Sequence, residues 1–216
     1  AKHTFPGGLA IHAVGVPQNS NSPLGPTWCY LIAGDVLTLI DTGSYGCIQY
    51  LEEGLDYLGY SLKDLGRVII THGHMDHDGN CAQILSQSGA ELWAHEVYKS
   101  LVGVPRHDVD RGFSQRYHSL RPMEDEFYLN RIGDYEEGAG QLVVANAVTD
   151  GLTSDGFTFY YTPGHSPDEL CILYEGILFS GDHVLPQITP HPSMNLDYTA
   201  FRQHLPEHYH SGNRYF

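Results

Sequence analysis

Basic residues are scarce in this chain: 11 Lys and Arg stand against 26 Asp and Glu in 216 residues, a formal net charge of −15. An acidic surface repels phosphate backbones and anionic lipid headgroups, so nucleic acid and membrane surfaces are set aside as partners. Long apolar runs are missing too. No stretch approaches the ~20 residues that span a bilayer, and the opening residues AKHTFPGG carry no signal-peptide pattern. A cytoplasmic location is therefore expected. Cysteine is limited to Cys29, Cys47, Cys81 and Cys171, with no CxxC pair. Each has apolar neighbours, which favours buried free thiols over disulfides or zinc thiolates.

Histidine, by contrast, is plentiful at 14 residues. The length suits one good-sized core, and a single domain over residues 1–216 is expected. Residues 68–80 read VIITHGHMDHDGN, an apolar run followed by three histidines and two aspartates. His72 and His74 are two apart, so in extended chain both rings point to one side. Asp76 and His77 follow where the chain turns toward a helix. Imidazole nitrogen and carboxylate oxygen suit zinc or iron, and so dense a cluster favours a metal site over a polar turn.

The surrounding pattern alternates strands with helices. Residues 8–16 read as a strand, 17–26 as a turn-rich loop, and 28–33 with 36–40 as a hairpin about Gly34-Asp35. The second arm runs into Asp41, either a loop-fixing acceptor or a site residue. Ile48, Leu51, Leu55 and Leu58 recur at helical spacing and Gly59 is a natural stop. Strand 67–71 then delivers the histidine cluster at its C-terminal end, where open α/β sheets place ligands. Cys81, Ile84 and Leu85 mark a short helix capped by Asp78 or Asn80, and 90–94 is a further strand.

Regularity fades after Pro105. Residues 105–140 hold five of the eight arginines (Arg106, Arg111, Arg116, Arg121, Arg131) and eight acidic residues. So long an insert is either a lid or binding element or a solvated helical excursion. Strand 157–161 then ends in Thr162-Pro163-Gly164-His165. A hairpin about Glu175-Gly176 joins 170–174 to 177–180 and ends in Gly181-Asp182-His183. Alone, His165 and Asp182 are ordinary turn residues; beside the histidine cluster they are candidate ligands.

Four segments in this order, LIDTG (39–43), HGHMDH (72–77), TPGHS (162–166) and FSGDHVLP (179–186), resemble the metallo-β-lactamase superfamily of metal-dependent hydrolases. The resemblance implies an α/β fold, an αββα four-layer sandwich of two mixed β-sheets with outer helices. His72, His74 and His165 would bind a first metal, Asp76 and His77 a second, with Asp182 bridging. Asp76 would also orient the nucleophile, and Asp41 would support the metal loop from behind. The cofactors implied are two zinc ions, with iron or manganese as alternatives. His183 is implied to be a spacer.

The same resemblance calls for a further histidine beyond the bridging aspartate, and only residues 183–216 follow Asp182. His204, His208 and His210 are available in a helix or loop; otherwise the ligand lies past Phe216, or the second site is incomplete and the fold C-terminally short. TPGHS with Asp182 is similar to the glyoxalase II branch, and Leu185 stands where lactonases carry tyrosine. The reading is thus a dizinc hydrolase of a small ester or thioester, with hydroxyacyl-glutathione-like or acyl-CoA-like substrates in view. Alternatives are a lactonase, a mononuclear iron persulfide dioxygenase-like enzyme on His72, His165 and Asp182, or a non-enzymatic metal-binding role. A small-molecule substrate is the expected partner, held by insert arginines such as Arg111 and Arg116, with a homodimer compatible with the chain.

Overall fold

Along the hairpin 27–40 apolar side chains alternate in direction, and this alternation builds two layers of core at once. A computed structural model describes residues 2–4, 10–18, 25–104, 126–186, 188–190 and 204–209. Strands β1 (Lys2–Thr4), β2 (Ala10–Val16), β3 (Thr27–Ala33), β4 (Leu37–Ile40), β5 (Arg67–Ile69), β6 (Glu91–His95) and β7 (Val144–Val148) form one sheet in chain order. It is antiparallel from β1 to β4 and parallel from β4 to β7. A second, antiparallel sheet has the order β11-β10-β9-β8, from β8 (Thr153–Ser154), β9 (Phe157–Tyr161), β10 (Leu170–Tyr174) and β11 (Ile177–Phe179). The mixed pairing thus belongs to the larger sheet.

Because successive strand residues face opposite ways, Leu31, Leu39, Val68 and Leu92 join one core cluster while Ile32, Ile40, Ile69 and Trp93 join another. The first cluster packs under helices α1 (Ile48–Tyr57) and α2 (Cys81–Ser88) through Leu51, Leu55, Cys81 and Ile84. The second lies between the sheets and takes Phe157, Phe159, Leu170, Ile172 and Phe179 from the smaller one. Each such fully buried side chain contributes about 1.5–3 kcal/mol. At one end of the interlayer, Arg67 pairs with Asp155 and lies 4.3 Å over the Trp93 ring.

The first hairpin turns through Gly34, Asp35 and Val36 rather than about Gly34-Asp35 alone. Gly59 closes α1 at φ 83°, and the Asp155-Gly156 and Glu175-Gly176 turns have positive φ at both positions, as two-residue hairpin turns require. Asn80 precedes α2, but its side chain does not cap it. The amide donates to the carbonyls of Thr42 and Ser44 instead, tying the histidine loop to the end of β4. The sequence reading did not anticipate α3 (Glu96–Leu101), β1, β7 or β8. All four cysteines are free and buried, as expected, and among the described residues no helix is long and apolar enough to cross a membrane.

Of the 105–140 insert, the helix Glu126–Ala139 is described. Tyr135 on it donates to Asp78 at 2.6 Å, and Tyr98 of α3 donates to the other oxygen of Asp78 at 3.0 Å. Asp78 is thus the post to which the insert helix is tied, directly after the histidine loop. Arg106, Arg111, Arg116 and Arg121 lie outside the described residues, as does the side chain of Arg131.

Candidate metal centre

Three loops, each leaving the C-terminal end of a strand, bring the predicted ligands together. The loop after β5 carries His72, His74, Asp76 and His77; that after β9 carries His165; that after β11 carries Asp182 in a short 3-10 turn, Gly181–His183. Two groups of potential ligand atoms, each within 4.8 Å of one another, result: His72, His74 and His165, and His72, His77 and Asp182.

In the first group His74 Nδ1 lies 3.0 Å from both His72 Nε2 and His165 Nε2. Nitrogens sharing a tetrahedral zinc at ~2.0–2.1 Å would sit roughly 3.3–3.4 Å apart, so the three rings are already gathered to that scale. Three ring nitrogens facing one point cannot all be satisfied by one another, because a neutral imidazole offers one N–H and one lone pair. A cation among them resolves the conflict, and the donor set fits a divalent metal. Asp182 lies between the two groups. One carboxylate oxygen is 3.2 Å from His77 Nε2 and the other 3.4 Å from His165 Nε2, an arrangement suited to bridging.

Behind the ligands stands a layer of acceptors. Asp41 adopts φ 58° at the end of β4, receives Thr71 N at 2.8 Å and the Thr71 hydroxyl at 2.8 Å, and lies 2.8 Å from His77 Nδ1. A carboxylate only accepts, so His77 carries a proton on Nδ1 and turns Nε2 to the centre, where a metal ion would take the place of any proton on it. Thr71 Oγ1, 3.1 Å from His72 Nδ1, orients that ring likewise. Asp168 receives Gly73 N at 2.8 Å and the Ser166 hydroxyl, joining the His72 and His165 loops.

Burial alone would lower the His77 pKa, but Asp41, Asp182 and Asp76 outweigh it and raise it well above the ordinary value. For Asp182, burial raises and the His77, His165 and His74 rings lower; the rings win. Burial, then the adjacent Asp168, pushes Glu169 up to about 9.

Asp76 stands at the margin. Its Oδ2 is 3.9 Å from His77 Nε2, its side chain is 36% exposed, and Gln18 donates to it at 3.1 Å. It falls outside both close groups. His183 is exposed and also outside them. Among the described residues no seventh ligand joins the centre: His208 lies 2.8 Å from Glu96 on α3, His204 is in neither group, and His210 lies outside the described residues. Sequence reasoning passed over Thr71, Gln18, Asp168 and Glu169. Asp168 and Glu169 carried a usable signal, two adjacent acids three and four residues after a candidate ligand.

Residues 22–204 match the sequence model of the metallo-beta-lactamase superfamily. The chain is 25% identical over 176 residues to a "probable metallo-hydrolase" of Methanocaldococcus jannaschii, covering 82% of this chain and 71% of that protein. It is 21% identical over 192 residues to another from Bacillus subtilis, covering 78% of this chain and 56% of that one. A thioesterase of Emericella nidulans is 28% identical over 159 residues, 72% of this chain but 35% of its own length. The chain thus spans about half the length of the Bacillus relative and about a third of the fungal one. In structure, a metallo-beta-lactamase family protein of Thermus thermophilus superposes with TM-score 0.63 at 22% identity, covering 90% of this chain and 67% of that one.

Proposed function

The chain belongs to the metallo-beta-lactamase superfamily, and from that premise we propose that it is a metallo-hydrolase that cleaves a small ester or thioester with zinc at the three-loop centre. The observation that carries the reading is the pair of ligand groups joined through His72 and Asp182. His72, His74, His165 and Asp182 would hold one ion tightly. His77, Asp182 and Asp76 would hold a second more weakly, with one imidazole and two carboxylates. Ions held there would polarise a carbonyl and make a bound water acidic enough to attack near neutral pH.

The protein's own groups do the rest. Asp41 holds His77 Nδ1–H, Thr71 orients His72, and Asp76 Oδ2, the most open of these carboxylates, would take a proton from the attacking water. Gln18, donating to the same oxygen, sets its direction. A thioester is favoured over a lactone by the similarity to the fungal thioesterase and by Leu185 in place of tyrosine. The iron oxygenase reading leaves His74, Asp76 and His77 without work. A panel of acyl thioesters, esters and lactones assayed with zinc, manganese and iron tests it: thioester turnover with zinc supports the proposal, and oxygen uptake without hydrolysis refutes it.

A further inference from the structure

Glu169 is fully buried, immediately before β10, and none of the motifs assigns it a task. Its side chain reaches two of the three ligand loops. Oε1 accepts Asp182 N–H at 3.1 Å and lies 3.5 Å from His72 Nδ1. Its backbone is fastened to the third, since its carbonyl accepts Thr162 N–H at 2.9 Å and its N–H donates to Ser166 at 3.4 Å, on either side of His165. Gly181 makes the approach possible: a Cβ there would stand 2.6 Å from Glu169 Oε1 and 2.9 Å from Thr71 Oγ1.

Among the described residues Oε2 has no hydrogen-bond partner though it is buried. A carboxyl oxygen left so is costly, and packing alone would be served as well by an apolar side chain of similar volume. We propose that Glu169 is a positioning residue for the metal centre, holding the Asp182 backbone and the His72 ring in ligating register while its own backbone anchors the His165 loop. It rests on the reading that these residues hold a metal.

The test compares Glu169→Met, which keeps volume but removes both oxygens, with Glu169→Gln, which keeps an acceptor for Asp182 N–H. Zinc affinity is measured by chelator competition, the ligand field by the absorption spectrum of the cobalt(II)-loaded proteins, and stability by melting of the metal-free proteins. The Met variant should bind zinc ~10–100-fold more weakly, in the range for residues that orient ligands, with an altered cobalt spectrum. The Gln variant should recover most of that loss, and both metal-free proteins should melt within ~4 °C of the wild type, about 1 kcal/mol. Wild-type affinity in the Met variant would overturn the proposal, as would a loss explained by a melting temperature lowered beyond that margin. Absence of zinc binding by the wild type would overturn the metal reading itself.

Discussion

Asp41 accepts a hydrogen bond from His77 Nδ1–H, with N and O 2.8 Å apart, while sitting at φ 58°, a backbone region that few residues other than glycine adopt. Its oxygens also receive both donors of Thr71, the residue before His72. One carboxylate therefore sets two ligand rings. Asp41→Asn keeps the size and tolerates the backbone, but its amide would offer His77 a donor or a weaker acceptor. Zinc affinity, read by chelator competition, should fall ~10–100-fold.

The two ligand groups predict a graded metal stoichiometry. Equilibrium dialysis followed by elemental analysis should find one tightly held zinc and a weaker second in the wild type. His165→Ala should lose the tight ion. His77→Ala should keep it and lose the weaker one, because His77 belongs to the Asp182 group alone. Equal loss of both ions in each variant would contradict the assignment.

Much of this centre was legible before the fold was known. His72, His74 and His77 stand close in sequence, and His165 and Asp182 each end a strand whose apolar pattern announced it. The α1 helix and the Glu175-Gly176 hairpin turn were equally plain, since their signals are local. Glu169 was marked only by its place beside Asp168 after a candidate ligand and Gln18 by nothing, because their roles depend on contacts 13 and 58 residues away in sequence. Strand β7 escaped because VANAV carries only weak apolar alternation, and its place beside β6 comes from tertiary pairing.

His95 should make folding sensitive to mild acid. It is buried, stacks on Tyr161 at 3.9 Å, and its Nδ1 accepts Val97 N–H at 3.3 Å. Burial, partly offset by Asp168, Glu96 and Asp150, lowers its pKa from 6.5 to about 4. The unfolded chain then binds the proton first, so its contribution is complete above pH ~6.5 and is lost as pH falls toward ~4, on the order of 3 kcal/mol at most. In denaturant unfolding of the metal-free protein, His95→Asn should show a shallower loss of stability over that window than the wild type.

Gly79 lies where a side chain has no room: a Cβ would collide with Met75 O and Tyr45 N, both backbone atoms. Tyr45 N donates to Met75 O at 3.0 Å, so the clash would part the histidine loop from the segment after β4. Gly79→Ala should cost more than about 2 kcal/mol and weaken zinc binding. Gly89→Ala, at φ 68° but with open space around it among the described residues, should cost only about 1 kcal/mol of backbone strain and leave zinc binding intact.

The most direct measurement is steady-state hydrolysis of a short acyl thioester by the zinc-loaded protein, before and after chelation and in His72→Ala. His72 belongs to both ligand groups, so its loss should remove turnover by a factor of ~10³ or more, about 4 kcal/mol of barrier. Chelation should abolish turnover in the wild type, and added zinc should restore it. Turnover that survives both chelation and His72→Ala would contradict the account.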